Sequence, residues 1–77
     1  MDIDEIIARY AVSVTVDDIE ILYRFSNNED IANKTYDEYY KHVTGVYDKD
    51  KYHIVIKIID YELGTYIRKF DSIEDKT

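Results

Sequence analysis

The chain has 77 residues, 45% of them apolar, and its 17 acidic residues outnumber 10 basic ones to give a net charge of −7. That length supports one domain with a modest core, the apolar share argues against a disordered chain, and the acidity argues against direct nucleic-acid binding, which needs clustered Lys and Arg to displace counterions. Cysteine is absent, which excludes disulfides and thiolate zinc sites and fits a reducing, cytoplasmic compartment.

The opening Met1-Asp2-Ile3-Asp4-Glu5 is acidic where a secretory signal would be basic. Ile3, Ile6, Ile7 and Tyr10 fall at i, i+3, i+4 and i+7, which predicts a short N-terminal helix capped by Asp2. The period then changes. Val12, Val14 and Val16 alternate with Ser13 and Thr15, and Ile19, Ile21, Tyr23 and Phe25 alternate with Glu20, Leu22 and Arg24. This is a strand pattern with Asp17-Asp18 as a tight acidic turn, so residues 12–25 predict a hairpin. A capping-box reading, with Thr15 and Asp18 opening a helix over 16–25, competes with it. The β-branched and aromatic content favours strands.

Ser26-Asn27-Asn28 is a turn and a helix cap. A helix from about Asn28 to Val43 follows, with Ala32, Tyr36, Tyr39 and Val43 on one face. Its outer face offers Asp30–Lys34, Lys34–Glu38 and Asp37–Lys41 as i, i+4 pairs. Gly45 stands where a left-handed cap belongs. Val46-Tyr47 begins a further strand, and Asp48-Lys49-Asp50-Lys51 is a charged turn. Tyr52 to Ile59 is the strongest strand, apolar on both faces and therefore central. Asp60 to Gly64 is a loop, and Thr65 to Phe70 a last strand. No apolar run approaches the roughly 20 residues that a membrane helix needs. The expected fold is α+β: a mostly antiparallel sheet of about four to five strands, one main helix and a short N-terminal helix. One domain covers 1–70, and 71–77 form a flexible acidic tail.

Chemistry of the catalytic kind finds few candidates. The two isolated glycines cannot make a phosphate cradle, and no serine carries a nucleophile motif. Glu38 and His42 stand one helical turn apart, yet two groups make a poor metal site. Asp48-x-Asp50 has the start of a calcium loop but lacks its sixth-position glycine and its acidic twelfth residue. No cofactor, metal or catalytic residue is expected, and an enzyme is not.

The distinctive feature is nine tyrosines set among the acids. Tyr40 follows Asp37-Glu38, Tyr47 and Tyr52 bracket Asp48 and Asp50, and Tyr61 lies between Asp60 and Glu62. Tyrosine gives large contact area with a polar tip and is enriched at interfaces. Tyr10, Tyr23, Tyr36 and Tyr39 fall on expected core faces instead.

These features resemble those of small, acidic, cysteine-free phage proteins that inhibit nucleic-acid enzymes of the host. The run Met1-Asp2-Ile3-Asp4-Glu5-Ile6-Ile7 is similar to the first helix of a compact anti-CRISPR inhibitor, although that inhibitor ends in helices. The Val/Ile strands are similar to those of uracil-DNA glycosylase inhibitors. The resemblance implies a DNA mimic that blocks a basic nucleic-acid-binding protein, such as a CRISPR effector nuclease. It contacts neither membrane nor nucleic acid itself. The carboxylates standing in for phosphates would be Asp17, Asp18, Glu20, Glu29, Asp30, Asp37, Glu38, Asp48, Asp50, Asp60 and Glu62, with Tyr40, Tyr47, Tyr52 and Tyr61 beside them. Monomer and homodimer are both compatible with this. The alternative is a small self-associating structural or regulatory module whose strand edges pair between chains.

Overall fold

The computed structural model describes residues 8–74. Four strands and one helix follow in order: β1 (Tyr10–Val16), β2 (Ile19–Ser26), α1 (Glu29–Val46), β3 (Ile54–Asp60) and β4 (Thr65–Asp71). The sheet is antiparallel throughout, with spatial order β2-β1-β3-β4. α1 packs on one face of it. The fold is therefore α+β with a four-stranded sheet, as the alternation of periods predicted.

Val12, Val14 and Val16 of β1 point to the helix, beside Ile54, Ile56 and Ile58 of β3. The three isoleucines are completely buried. Ala32, Tyr36 and Val43 cover them from α1, spaced as one helical stripe. The two strands richest in β-branched residues occupy the centre because only there are both backbone edges paired and one whole face shielded.

Four sequence expectations change. The fifth strand at Val46-Tyr47 does not form. α1 runs on through Gly45 to Val46, and the Tyr47 N–H closes the last turn on the Val43 carbonyl. Gly45 is thus an ordinary helical residue, and the left-handed glycine is Gly64, at φ 74° in the β3–β4 turn. The strand expected from Tyr52 starts at Ile54 and extends to Asp60. Tyr10, expected at the end of a helix, opens β1, and Ala8 and Arg9 before it are not helical; residues 1–7 of the expected N-terminal helix lie outside the described residues.

β4 also continues past Phe70 to Asp71, and Ser72 is buried beyond it. The Ser72 hydroxyl accepts the Ile54 N–H at 2.8 Å and donates to the Tyr52 carbonyl at 3.1 Å. Both outer strands carry an irregularity. Val14 pairs with Leu22 but Thr15 with Glu20, which leaves Ile21 unmatched on β2. Ile58 pairs with Arg68 but Ile59 with Tyr66, which leaves Ile67 unmatched on β4.

The start of α1 was legible. Asn28 is extended, and its side-chain oxygen accepts the Ile31 N–H at 3.1 Å, with Glu29 and Asp30 in the first turn. Asn28→Ala should lower unfolding free energy by about 1 kcal/mol, read as a shift in the urea midpoint at unchanged slope.

Candidate protein-binding surface

The acids that the sequence singles out separate into two poles of a body measuring 44 × 22 × 22 Å. The first pole is built from two loops. Asp17 and Asp18 are the whole β1–β2 turn, and both have positive φ, 52° and 68°. Two successive residues of that kind make a hairpin turn that usually takes Asn-Gly. Aspartate is among the few non-glycine residues that tolerate the left-handed region. Here the Asp17 carboxylate accepts the His53 N–H, and the Asp17 N–H donates to the His53 carbonyl, each at 2.9 Å. That pair of bonds fastens the hairpin turn to the α1–β3 loop, which carries Asp48 and Asp50.

In that loop the Asp48 carboxylate accepts the Asp50 N–H at 2.8 Å, a tight aspartate turn. Tyr40, Tyr47, Asp48 and Asp50 line one shallow open depression. The Tyr47 and Tyr52 rings meet edge to face, 5.3 Å apart. Asp17, Asp18, Glu20, Asp48 and Asp50 are all exposed. The structure thus brings together six of the predicted residues, Asp17, Asp18, Tyr40, Tyr47, Asp48 and Asp50, with Glu20 and Tyr52 alongside. Lys49 and Lys51 share the loop and dilute its charge.

At the second pole Tyr61 and Glu62 line a depression with Arg9 and Asn27, and Glu29 and Asp30 follow, exposed, in the first turn of α1. Asp60, expected in a loop, ends β3 with its side chain only 2% exposed. The Arg9 guanidinium grips it with two hydrogen bonds of 3.1 Å, and the N–H groups of Glu62 and Leu63 donate to the same carboxylate. Asp60 is a structural anchor and presents nothing to a partner. The remaining acids lie between the poles. Asp37 turns to Arg68 on β4, at 2.7 Å, and the Arg68 guanidinium stacks over Tyr36, 3.9 Å from the ring centre. Among the described residues, no ion pair closes between Lys34 or Lys41 and the helix acids. Glu38 is exposed.

No protein family, curated protein sequence or solved structure matches this chain. Function must be read from its surface. Among the described residues, no three His, Asp or Glu side chains converge as a metal site, and no helix is long and apolar enough to cross a membrane.

Sequence reasoning placed Tyr23 in the core, and the register corrects this. Tyr23 pairs with Ser13 and Phe25 with Ala11, so both rings stand on the sheet face away from α1. Tyr23 is 41% exposed, Phe25 53% and Tyr66, which the sequence did not single out, 52%. The Tyr23 and Tyr61 hydroxyls share a hydrogen bond of 3.0 Å. That bond, then burial, pushes the Tyr23 hydroxyl up to about 12, so the open face keeps a neutral ring at physiological pH.

Two carboxyls are held below the ordinary aspartate value. At Asp60 the Arg9 hydrogen bonds do this, against burial. At Asp71 burial pushes upward, but the N–H groups of Ile73 and Glu74 and the His53 ring at 3.0 Å outweigh it. A carboxyl whose folded value is depressed lends stability above its unfolded value and loses it as pH falls through the folded value. Stability should therefore be flat above about pH 5 and decline steadily below about pH 4. Urea midpoints from pH 7 to pH 2 check this, and Asp60→Asn should remove much of the slope.

Proposed function

We propose that the protein is a non-catalytic binding module that inhibits a basic, nucleic-acid-handling protein, using the pole formed by Asp17, Asp18, Glu20, Asp48 and Asp50 with Tyr40, Tyr47 and Tyr52. The observation that carries the reading is the double hydrogen bond between Asp17 and His53, which locks two acidic loops into one exposed patch edged by aromatic rings. A preorganised patch loses little entropy on docking. Its carboxylates occupy places that phosphates would take in the partner's groove.

The magnitudes restrict the mimicry. A duplex 44 Å long carries about 26 phosphates, whereas this chain carries −7 in all. The protein cannot imitate a length of duplex. It can imitate a few adjacent phosphates at one end, which is enough to compete for a local cluster of Arg and Lys. A phage or mobile-element inhibitor acting in the host cytoplasm, of the anti-CRISPR kind, fits this description.

The test is displacement. Labelled duplex bound to a purified CRISPR effector nuclease should be released by the wild-type protein, followed by fluorescence anisotropy. A variant with Asp17→Asn, Asp18→Asn, Glu20→Gln, Asp48→Asn and Asp50→Asn should fail to release it. Equal competition by the two proteins would sink the acidic-pole reading.

A further inference from the structure

One-electron oxidation of this chain falls on tyrosine. The sequence has nine tyrosines, no cysteine, no tryptophan and a single methionine. Cysteine and methionine take up oxidising equivalents in most proteins, and tryptophan shares one-electron oxidation with tyrosine. Without them a radical placed on the chain settles on a phenol ring. Which ring keeps it depends on exposure and on what stands beside that ring.

Tyr23 of β2 and Tyr61 of the β3–β4 turn are 38 residues apart in sequence, yet their hydroxyl oxygens lie 3.0 Å from each other. β1 runs between them and carries Ala11 and Ser13 on the same sheet face as Tyr23, small side chains that leave room for two rings above them. The Phe25 ring meets Tyr23 edge to face at 4.7 Å, and the Tyr61 N–H donates to the Arg9 carbonyl at 2.8 Å, so both partners are held from their own side. Both rings remain open to a reagent, Tyr23 at 41% exposure and Tyr61 at 49%. Tyr10 and Tyr36 are buried. Tyr47 and Tyr52 cross at 81° with ring centres 5.3 Å apart, an arrangement that aims the edge of one ring at the face of the other.

We infer that Tyr23 and Tyr61 form an oxidative cross-linking site, joined by a carbon–carbon bond when a haem peroxidase turns over hydrogen peroxide. Each phenol gives up one electron and its hydroxyl proton and becomes a phenoxyl radical. The two unpaired electrons pair as a bond between the ring carbons next to the hydroxyls. The hydrogens on those two carbons then move to the oxygens and restore both phenols. The pair loses two hydrogen atoms overall, and the two electrons and two protons reduce one hydrogen peroxide to two waters. In the product the two hydroxyls stand side by side within hydrogen-bond reach, as they already do here. The bond also helps earlier: with one ring oxidised, the hydrogen atom of the other can cross between the oxygens, so the radical stays within the pair until the second oxidation. Joining residues 38 apart removes loop freedom mainly from the unfolded chain. The link thus fastens β2 to the β3–β4 turn in a chain that has no cysteine to do so.

The full chain, dilute and treated with a haem peroxidase and limiting hydrogen peroxide, tests this. The intact mass should fall by two hydrogens while the protein still runs as a single 9.2 kDa chain under denaturing conditions, and the blue fluorescence of linked tyrosine should appear. Trypsin should then release residues 10–24 and 58–68 as one peptide. Tyr10 and Tyr66 share those two segments, so Tyr23→Phe and Tyr61→Phe decide the assignment, and each should lose the linked peptide. Both variants remove only a hydroxyl from an exposed ring, and far-UV circular dichroism confirms that they fold. The linked protein should unfold at a higher urea concentration than its parent. A linked peptide that survives in either variant overturns the inference. So do an unchanged mass, products found only between chains, and a link that joins other tyrosines. A linked protein with a lower urea midpoint also overturns it, because the folded pair would then not be placed for the bond. Tyr61 belongs to the second pole, and the acidic-pole variant should cross-link as the parent does, so the two readings fail separately.

Discussion

Ile56→Ala is expected to destabilise the protein by about 2–5 kcal/mol, the range for truncating a fully buried aliphatic side chain. Ile56 is 0% exposed and sits mid-strand in β3, between Val14 of β1 and Phe70 of β4 and beneath α1. A central strand paired on both sides cannot shift to fill the gap without moving its neighbours, so the cost should fall in the upper part of that range. A 77-residue domain has only about 4–12 kcal/mol of total stability. The loss is therefore a large share, and the melting temperature should drop by more than about 10 °C. Phe25→Ala removes a larger side chain but one that is 53% exposed, and its effect on stability should be much smaller. Thermal and urea unfolding of both variants decide the matter. A larger loss at Phe25 than at Ile56 would contradict the division between covered and open sheet faces.

The second large effect concerns association with a basic partner. Neutralising Asp17, Asp18, Glu20, Asp48 and Asp50 together takes the net charge from −7 to −2, all of it removed from one pole. Charges on an exposed patch chiefly steer encounter. Fields of this kind raise association rates by about 10–1,000-fold, so a loss near a hundredfold at low salt is expected. The gap should narrow sharply by about 150 mM salt. Stopped-flow mixing at the two salt concentrations measures it. The amide replacements keep the fold: asparagine suits positive φ as well as aspartate does, and its oxygen can still accept from His53 and from Asp50. A change confined to dissociation, with association untouched, would point to contacts other than steering.

Much of the fold could be read from periodicity. The switch from alternating Val12-Val14-Val16 to the helical stripe Ala32-Tyr36-Val43 located the hairpin and α1, and the run around Ile56 located the central strand. The end of α1 could not be read, because Gly45 has the composition of a stop signal while its backbone stays helical. Only the pairing of strands settles which face a β2 residue occupies. The sequence shows Tyr23 alternating with Leu22 and Arg24 but not that Tyr23 lies opposite Ser13. Asp60 illustrates a longer-range failure. Nothing local distinguishes it from Asp48 or Glu62, and its partner Arg9 is 51 residues away. The acidic turn Asp17-Asp18 was legible as a turn, but its attachment to His53 was not.

The unmatched Ile21 and Ile67 interrupt the hydrogen-bonding ladders of both outer strands. Bulges at sheet edges twist the strand away from straight and spoil it as a template for a further chain. A sequence so rich in isoleucine and valine would otherwise be exposed to end-on strand addition and fibril growth. With both outer strands interrupted, strand addition at either edge is disfavoured. The protein should therefore remain in solution as discrete particles when concentrated or aged, without a lag phase of thioflavin-positive growth.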